Sequence, residues 1–201
     1  MNPRFAAPAR SRALWATLLL SAMAAMAPAA PVDYALDPTH SFVTFEVLHF
    51  GTSTTRGRFG PLAGEVTLDR EARRGRLQVV IDTAAVSTGL PVLDARVRQD
   101  DLLATAAHPQ AFFIAERFDF APDGGVAAVT GEFTLRGQSR PLRLVAQRFR
   151  CYLNPLLRRE VCGGDFEADL QRSDFGMSFG QPFVTDTVRL KIAVEAIRQT
   201  P

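Results

Sequence analysis

Three histidines are the residues with which this chain could most easily build a metal site. His40 and His49 are nine positions apart, so in a continuous strand their side chains point to opposite faces and cannot share an ion. His108 stands before Pro109, at the boundary of an element. We therefore expect no metal site. His49 is the best candidate for a polar group inside the fold, the alternative being a core histidine bonded to a backbone carbonyl.

Two cysteines, Cys151 and Cys162, lie eleven positions apart, with no histidine near either of them in sequence. In an oxidising compartment an even pair at this spacing indicates a disulfide that closes a short loop. On the loop-entropy model such a bridge contributes ~2–3 kcal/mol, and strain can offset part of it. The pair is therefore interpreted as a structural staple.

Catalytic motifs are absent from the sequence, which contains no nucleophile elbow, no Walker loop and no paired-glycine dinucleotide turn. Asp100 and Asp101, like Asp169 and Asp174, are carboxylate pairs in sequence only. We predict no catalytic residue, no enzyme activity and no cofactor.

Arg172 is the candidate for a polar contact to a bound molecule, because a guanidinium fork suits a phosphate or a carbonyl at the mouth of a cavity. The alternative is an ion pair with Asp174 that fixes the turn before Phe175 and Gly176. The ion pair is the interpretation we favour. Arg172 nevertheless stays the head-group candidate if the protein binds a ligand.

The N-terminal residues have the composition of an export signal. Three arginines precede an uncharged apolar run over residues 13–27, which ends in the small-x-small cleavage site Ala27-Pro28-Ala29. We predict that residues 1–29 are a cleaved signal peptide and that residues 30–201 form one domain, in the periplasm or secreted. The alternative, an uncleaved anchor, would need ~20 apolar residues, more than this run supplies.

Removal of this leader changes the charge balance. The full chain has 23 basic and 21 acidic residues, and without the three leader arginines the balance is 20 against 21, a net charge of −1. Such a balance gives no global electrostatic reason to expect nucleic acid or an anionic membrane as a partner.

Alternation of apolar and polar residues dominates the rest of the chain. Val188, Leu190 and Ile192 share one parity and Arg189 and Lys191 the other, which is typical of half-buried antiparallel strands. The same alternation recurs at 43–47, 65–69, 129–136 and 166–171. Glycine-containing turns near 124 and 137 indicate hairpins.

Only the stretch from Val92 to Thr105 has helical character, with Leu93, Val97 and Ala104 on one face. The count is therefore about eight strands with one or two short helices. Such strands form either a closed up-and-down barrel or a two-sheet sandwich, and the residue pattern does not distinguish between these two folds.

Several short patterns occur together and in order along the chain. They are Tyr34-x-Leu36-Asp37-Pro38-x-His40-Ser41, Gly57-x-Phe59, Gly64-x-x-x-x-Asp69, His108-Pro109, Phe112-Phe113, Gly131-x-Phe133-Thr134-Leu135-Arg136-Gly137, Arg172-Ser173-Asp174-Phe175-Gly176 and Val188-x-Leu190-x-Ile192-x-x-Glu195. As an ordered set they resemble the YceI-like family of polyisoprenoid-binding, lipocalin-like periplasmic proteins. The cysteine-bearing insertion over residues 151–164 departs from the generic pattern and resembles a subgroup.

The resemblance implies an all-β, eight-stranded antiparallel lipocalin-like barrel with a helix over one end and an elongated apolar tunnel. The expected ligand is a long-chain isoprenoid lipid, a quinone or a similar amphiphile. Inward parity selects these lining candidates: Val43, Phe45, Val47, His49, Leu77, Val79, Ile81, Phe112, Ile114, Val129, Phe133, Leu144, Phe166, Ala168, Leu170, Phe175, Val188, Leu190 and Ile192.

Two other functions stay open. One is a ligand-free structural or stress-related interaction module, whose barrel is filled by its own phenylalanines. The other is an accessory to a membrane quinone or cytochrome redox system. We expect no nucleic acid partner, a possible transient contact with the inner membrane, and a monomer or a dimer.

Overall fold

The computed structural model describes residues 30–200, so the predicted signal peptide lies outside the described part of the chain. Its strands form one antiparallel sheet. The strands are β1 (Val32–Leu36), β2 (Phe42–His49), β3 (Ser53–Phe59), β4 (Ala63–Asp69), β5 (Arg74–Asp82), β6 (Gln110–Phe120), β7 (Val126–Leu135), β8 (Gln138–Asn154), β9 (Arg159–Gln171) and β10 (Val184–Arg198).

The sheet closes into an eight-stranded barrel, because two of the long strands are each split in two. β1 and β2 follow one another along β10, where Tyr34 pairs with Arg198 and Phe45 pairs with Leu190. β4 and β3 lie beside β1 and β2 in the same way. The ring runs β1-β4-β5-β6-β7-β8-β9-β10 and returns to β1. The predicted barrel is confirmed, and the sandwich alternative is not the fold.

A short polar segment builds the break between β1 and β2. The Asp37 carboxylate accepts hydrogen bonds from the Thr39 N–H (2.9 Å) and hydroxyl (2.7 Å) and lies 2.8 Å from Nδ1 of His40. These contacts, the Thr39 hydroxyl first, lower the pKa of Asp37 to about 2. Ser41 is buried, donates to the carbonyl of Glu195 and accepts from its N–H, so the break is fastened to β10.

Strand β6 shows how pairing decides a register that the sequence leaves ambiguous. Residues 111–115 are all apolar, so either parity could face the interior. Phe113 lies directly opposite Val79 of β5, and directly opposite residues in antiparallel strands share a face. Phe113 is accordingly buried, whereas Ile114 is 45% exposed. The prediction that Phe112 and Ile114 face inward is wrong by one residue.

One short helix, α1 (Pro91–Val97), packs over one end of the barrel, which we call the helix end. The predicted helix was longer, reaching Thr105. It stops early because the chain turns back, so that the Leu103 N–H bonds to the Val97 carbonyl, and because Ala104 has a φ of 49°. Within residues 30–200, no helix is long and apolar enough to cross a membrane.

Strands β8 and β9 extend to the opposite end, which we call the hairpin end. Cys151 and Cys162 lie directly opposite each other there and form the predicted disulfide, with an S–S distance of 2.06 Å. The bridge joins two paired strands rather than the ends of an irregular loop. It therefore fixes the register of the hairpin at its outer part.

Candidate functional site

An apolar cavity of about 420 Å³ lies inside the barrel and is lined by residues of all ten strands and of α1. Its volume falls within the ~300–1,000 Å³ of typical small-molecule pockets. Water fills an apolar space of this kind poorly, because it finds few hydrogen-bond partners there. The interior is therefore hollow and suited to an apolar molecule, and the phenylalanines do not fill it.

Most of the predicted lining residues do face the cavity. They are Val43, Phe45, Val47, His49, Leu77, Val79, Ile81, Val129, Phe133, Leu144, Phe166, Leu170, Val188, Leu190 and Ile192. Ala168 and Phe175 are buried but lie outside the lining, and Phe175 packs edge-on against Phe133 with ring centroids 5.5 Å apart. Phe112 and Ile114 are not among the lining residues, for the reason of register given above.

The lining also includes residues that the sequence analysis did not select. Val66 and Leu68 belong to the alternation of β4, and that signal could have identified them. Phe113 required the register of β6. Met177 and Phe179 lie on the loop between β9 and β10, where no periodicity reports which side chain turns inward.

The cavity is polar at one end only. Its polar side chains are those of His49, Thr55, Thr83, Arg96 and Arg172, and all of them come from segments at the helix end. Towards the hairpin end the lining is apolar. It includes Leu68, Phe118, Val126, Phe149 and the disulfide-bonded Cys162.

Arg172 is buried, 4% exposed, and its guanidinium bonds to backbone carbonyls. Nε donates to Thr185, Nη1 to Met177 and Phe179, and Nη2 to Val184, at 2.8–2.9 Å. Burial lowers the pKa of Arg172, and the nearby Asp186 carboxylate opposes that shift.

Four of the five N–H groups of Arg172 therefore hold the loop after residue 175 and the start of β10. The favoured ion pair with Asp174 is not among the ion pairs of the described residues, and that prediction is wrong. The head-group role of Arg172 stays a prediction, with one N–H left to serve it.

Two of the other polar side chains at the helix end also make contacts within the protein. Arg96 makes a two-pronged ion pair with Asp101 (2.6 and 2.7 Å) and lies 4.1 Å from the centre of the Phe179 ring. The Thr83 hydroxyl donates to the carbonyl of His108.

The imidazole of His49 and the hydroxyl of Thr55 have no hydrogen-bond partner among residues 30–200. His49 is exposed and Thr55 half-buried, so both stand where the cavity meets solvent. They are the polar groups best placed to contact the head of a molecule in the cavity.

Exposed aromatic rings lie at this mouth. Phe50, Phe179 and Phe183 are each more than half exposed, and Phe50 stacks on Phe183 with ring centroids 5.0 Å apart. The Phe50 N–H bonds to the Phe183 carbonyl, which ties the β2–β3 turn to the loop before β10. Phe50 also packs edge-on against the His49 ring, with centroids 4.7 Å apart, so these exposed phenylalanines form an apolar rim beside the polar groups of the mouth.

Potential metal ligands come together at one place in the described residues, where Cys151, Cys162 and Glu160 lie at the hairpin end. The two sulfur atoms are bonded to each other and offer no thiolate. Glu160 instead accepts a hydrogen bond from the Tyr34 hydroxyl at 2.9 Å. This group is a structural cluster.

Comparison with known proteins agrees with this geometry. The YceI-like domain model matches residues 34–196. Protein YceI of Escherichia coli O157:H7 is 30% identical over 188 residues, 92% of this chain and 95% of that protein. A UPF0312 protein of Pseudomonas aeruginosa strain LESB58 is 30% identical over 191 residues, 94% and 98% of the two chains.

Solved structures share the fold at lower identity. A polyisoprenoid-binding domain from Saccharophagus degradans, described as implicated in plant cell wall breakdown, superposes with a TM-score of 0.63 at 21% identity, covering 84% of this chain and 99% of that one. BcnA of Burkholderia cenocepacia superposes with a TM-score of 0.64 at 23% identity, covering 80% and 98%.

Proposed function

Since the chain belongs to the YceI-like family, we propose that it is a periplasmic binding protein that holds a long-chain isoprenoid or a similar amphiphile inside its barrel. The observation that carries the proposal is the apolar cavity of about 420 Å³, open at an end that offers unpaired polar groups. The Saccharophagus degradans domain, whose description is polyisoprenoid binding, supports the ligand class. The role is binding and not catalysis.

The polarity of the cavity orients the proposed ligand. The apolar tail points towards the hairpin end, where Leu68, Phe118 and Val126 line the cavity. A hydroxyl, carbonyl or phosphate head stays at the mouth, within reach of His49 and Thr55. Each methylene that leaves water contributes ~0.8 kcal/mol before ordering costs are subtracted. The cavity thereby selects by chain length, and quinones and polyprenyl phosphates both satisfy it.

Loading such a ligand requires transient contact between the protein and a membrane, because free isoprenoids have little solubility in water. This contact is part of the proposal. A carrier that shields a quinone for a membrane redox system would use the same cavity and the same contact.

Native mass spectrometry on protein purified without detergent tests the proposal first. A co-purifying apolar molecule is the expected result. A titration with isoprenoid alcohols of increasing length follows, with affinity and melting temperature both measured. Both should rise with length until the cavity is full, because the unfolded chain has no cavity and does not bind. No co-purifying lipid, with flat length dependence and no thermal shift, would support the ligand-free module instead.

A matched pair of variants locates the binding within the barrel. Val129 is buried in the lining, so Val129→Trp should shorten the cavity and exclude the longest alcohols first. Val145 is 44% exposed on the outer face of the adjacent strand, so Val145→Trp should leave the length dependence unchanged. An equal effect of both variants would place the ligand outside the barrel.

A further inference from the structure

The end of the β8–β9 hairpin exposes leucine side chains. We call residues 153–159, Leu-Asn-Pro-Leu-Leu-Arg-Arg, the hairpin tip. Leu153 is 72% exposed, Leu156 91% and Leu157 43%. Large apolar side chains grouped on an exposed turn mark an interaction surface more often than leucines scattered singly.

The leucines are held outward by an ordered turn. Oδ1 of Asn154 accepts hydrogen bonds from the N–H groups of Leu156 (2.9 Å) and Leu157 (3.1 Å). The backbone carbonyl of Asn154 accepts a hydrogen bond from the N–H of Arg158 (2.8 Å). The Cys151–Cys162 disulfide joins the two strands just behind the turn. Docking by this tip therefore needs little further ordering of the chain.

Positive charge surrounds the same leucines. Residues 150–160 contain three arginines and one glutamate, a local net charge of +2, whereas residues 30–201 carry −1. Leu153 lines a cleft together with Arg158, Arg159 and Arg198, the last of which pairs with Glu160. Arg150 and Arg158 have no carboxylate partner among residues 30–200.

The rim of the cavity mouth lacks this combination. Phe50, Phe179 and Phe183 are exposed there, but Arg96 is paired with Asp101 and Arg172 is bonded to carbonyls, as described above. Both arginines that line the cavity are thus engaged within the protein, whereas Arg158 at the hairpin tip has no carboxylate partner among the described residues.

We propose that the hairpin tip docks the protein onto an anionic phospholipid bilayer, with its three leucines in the interface and its arginines on lipid phosphates. Arginine forks match phosphate oxygens, and basic residues next to apolar ones favour anionic membranes. A protein partner fits less well, because a standard protein interface covers ~800 Å² on each side, far more than one turn presents. The hairpin tip lies at the end opposite the cavity mouth, so this docking surface is distinct from the contact through which a ligand would enter, and it does not depend on what the cavity binds.

Co-sedimentation of the protein without the predicted signal peptide, residues 30–201, with vesicles tests the proposal. Vesicles of phosphatidylcholine and phosphatidylglycerol should bind the protein, and vesicles of phosphatidylcholine alone should bind it much more weakly. Arg158→Gln should weaken binding about fivefold, and added salt should do the same, because both reduce the attraction to anionic lipid. Leu156→Ser should weaken binding about tenfold by removing a buried side chain.

Two exposed residues elsewhere serve as controls. Arg117 is exposed on the outer wall of β6 and Val92 is 80% exposed at the helix end, so Arg117→Gln and Val92→Ser should leave binding unchanged. Residues 30–201 contain no tryptophan, so Leu156→Trp provides a single fluorophore whose emission should shift to the blue on anionic vesicles. All these sites are exposed, and an unchanged melting temperature confirms that each variant is folded.

The results that would overturn the proposal are specific. Equal binding to the anionic and the neutral vesicles would show that the arginines do not contribute to docking through their charge. Loss of binding in Val92→Ser but not in Leu156→Ser places the contact at the helix end. Self-association that Leu156→Ser abolishes, without vesicle binding, makes a second copy the partner. Binding of isoprenoid alcohols to Leu156→Ser should match wild type, so failure of the docking proposal and failure of the cavity proposal are separable.

Discussion

Replacing Arg172 with methionine tests whether this side chain is structural or contacts the ligand. The variant keeps most of the apolar stem and removes four hydrogen bonds to carbonyls. The Met177 carbonyl bond is buried, whereas the bonds to Thr185, Phe179 and Val184 are partly buried, so water can replace some of them. Each buried carbonyl left unpaired costs ~1–3 kcal/mol, and the lost charge no longer has to be desolvated.

The balance of these effects is a loss of about 3–5 kcal/mol in the free energy of unfolding. For a chain of this size the melting temperature should fall by roughly 10 °C. Urea unfolding followed by far-ultraviolet circular dichroism measures the change directly. Arg172→Lys should recover only part of the loss, because one ammonium group cannot span carbonyls on both sides of a planar fork.

Arg189→Met is the matched control for this experiment. Arg189 pairs with Asp169 on the exposed face of β10, where its ion pair is screened by solvent. Its unfolding midpoint should stay close to that of wild type. If Arg172→Met instead unfolds like wild type while losing affinity for phosphorylated or carbonyl-bearing ligands only, then the structural role is refuted and the head-group role stands.

Three further predictions concern the barrel wall, the hairpin and the Tyr34 hydroxyl. Phe113→Asp should lower stability by several kcal/mol through an unpaired buried charge, whereas Ile114→Asp should be nearly silent in the same urea unfolding assay; equal effects would contradict the register of β6. Replacing Cys151 and Cys162 by alanine should cost ~2–3 kcal/mol, and a reducing agent should then lower the melting temperature of wild type but not that of the variant. Burial, and then the hydrogen bond to Glu160, raises the pKa of Tyr34 from 10.0 to about 12. The fold favours the neutral phenol, so this stabilisation is complete below pH 10 and is lost as the pH rises from 10 to 12; the tyrosinate absorbance step near pH 12 should disappear in Tyr34→Phe.

Local periodicity and composition were sufficient for much of this protein. Val188, Leu190 and Ile192 could be placed inside from sequence because every second residue of a half-buried strand meets the core. The Cys151–Cys162 bridge followed from an even pair at short spacing, and the structure confirms it. The ordered family patterns predicted the eight-stranded barrel, where alternation alone had left a sandwich equally possible.

Tertiary structure decided the features that the alternation of apolar and polar residues along a strand cannot predict. In β6 the residues of both parities are apolar, and only pairing with Val79 turned Phe113 inward and Ile114 outward. The partners of Arg172 are backbone carbonyls of a loop and of the first residues of β10, and a carbonyl carries no sequence signal because every residue has one. The polar end of the cavity and the leucine-arginine hairpin tip depend likewise on which strand ends meet in space. In a closed barrel, hydrogen bonds between strands that are far apart in sequence decide which strand ends lie next to each other, and no local sequence pattern encodes those pairings.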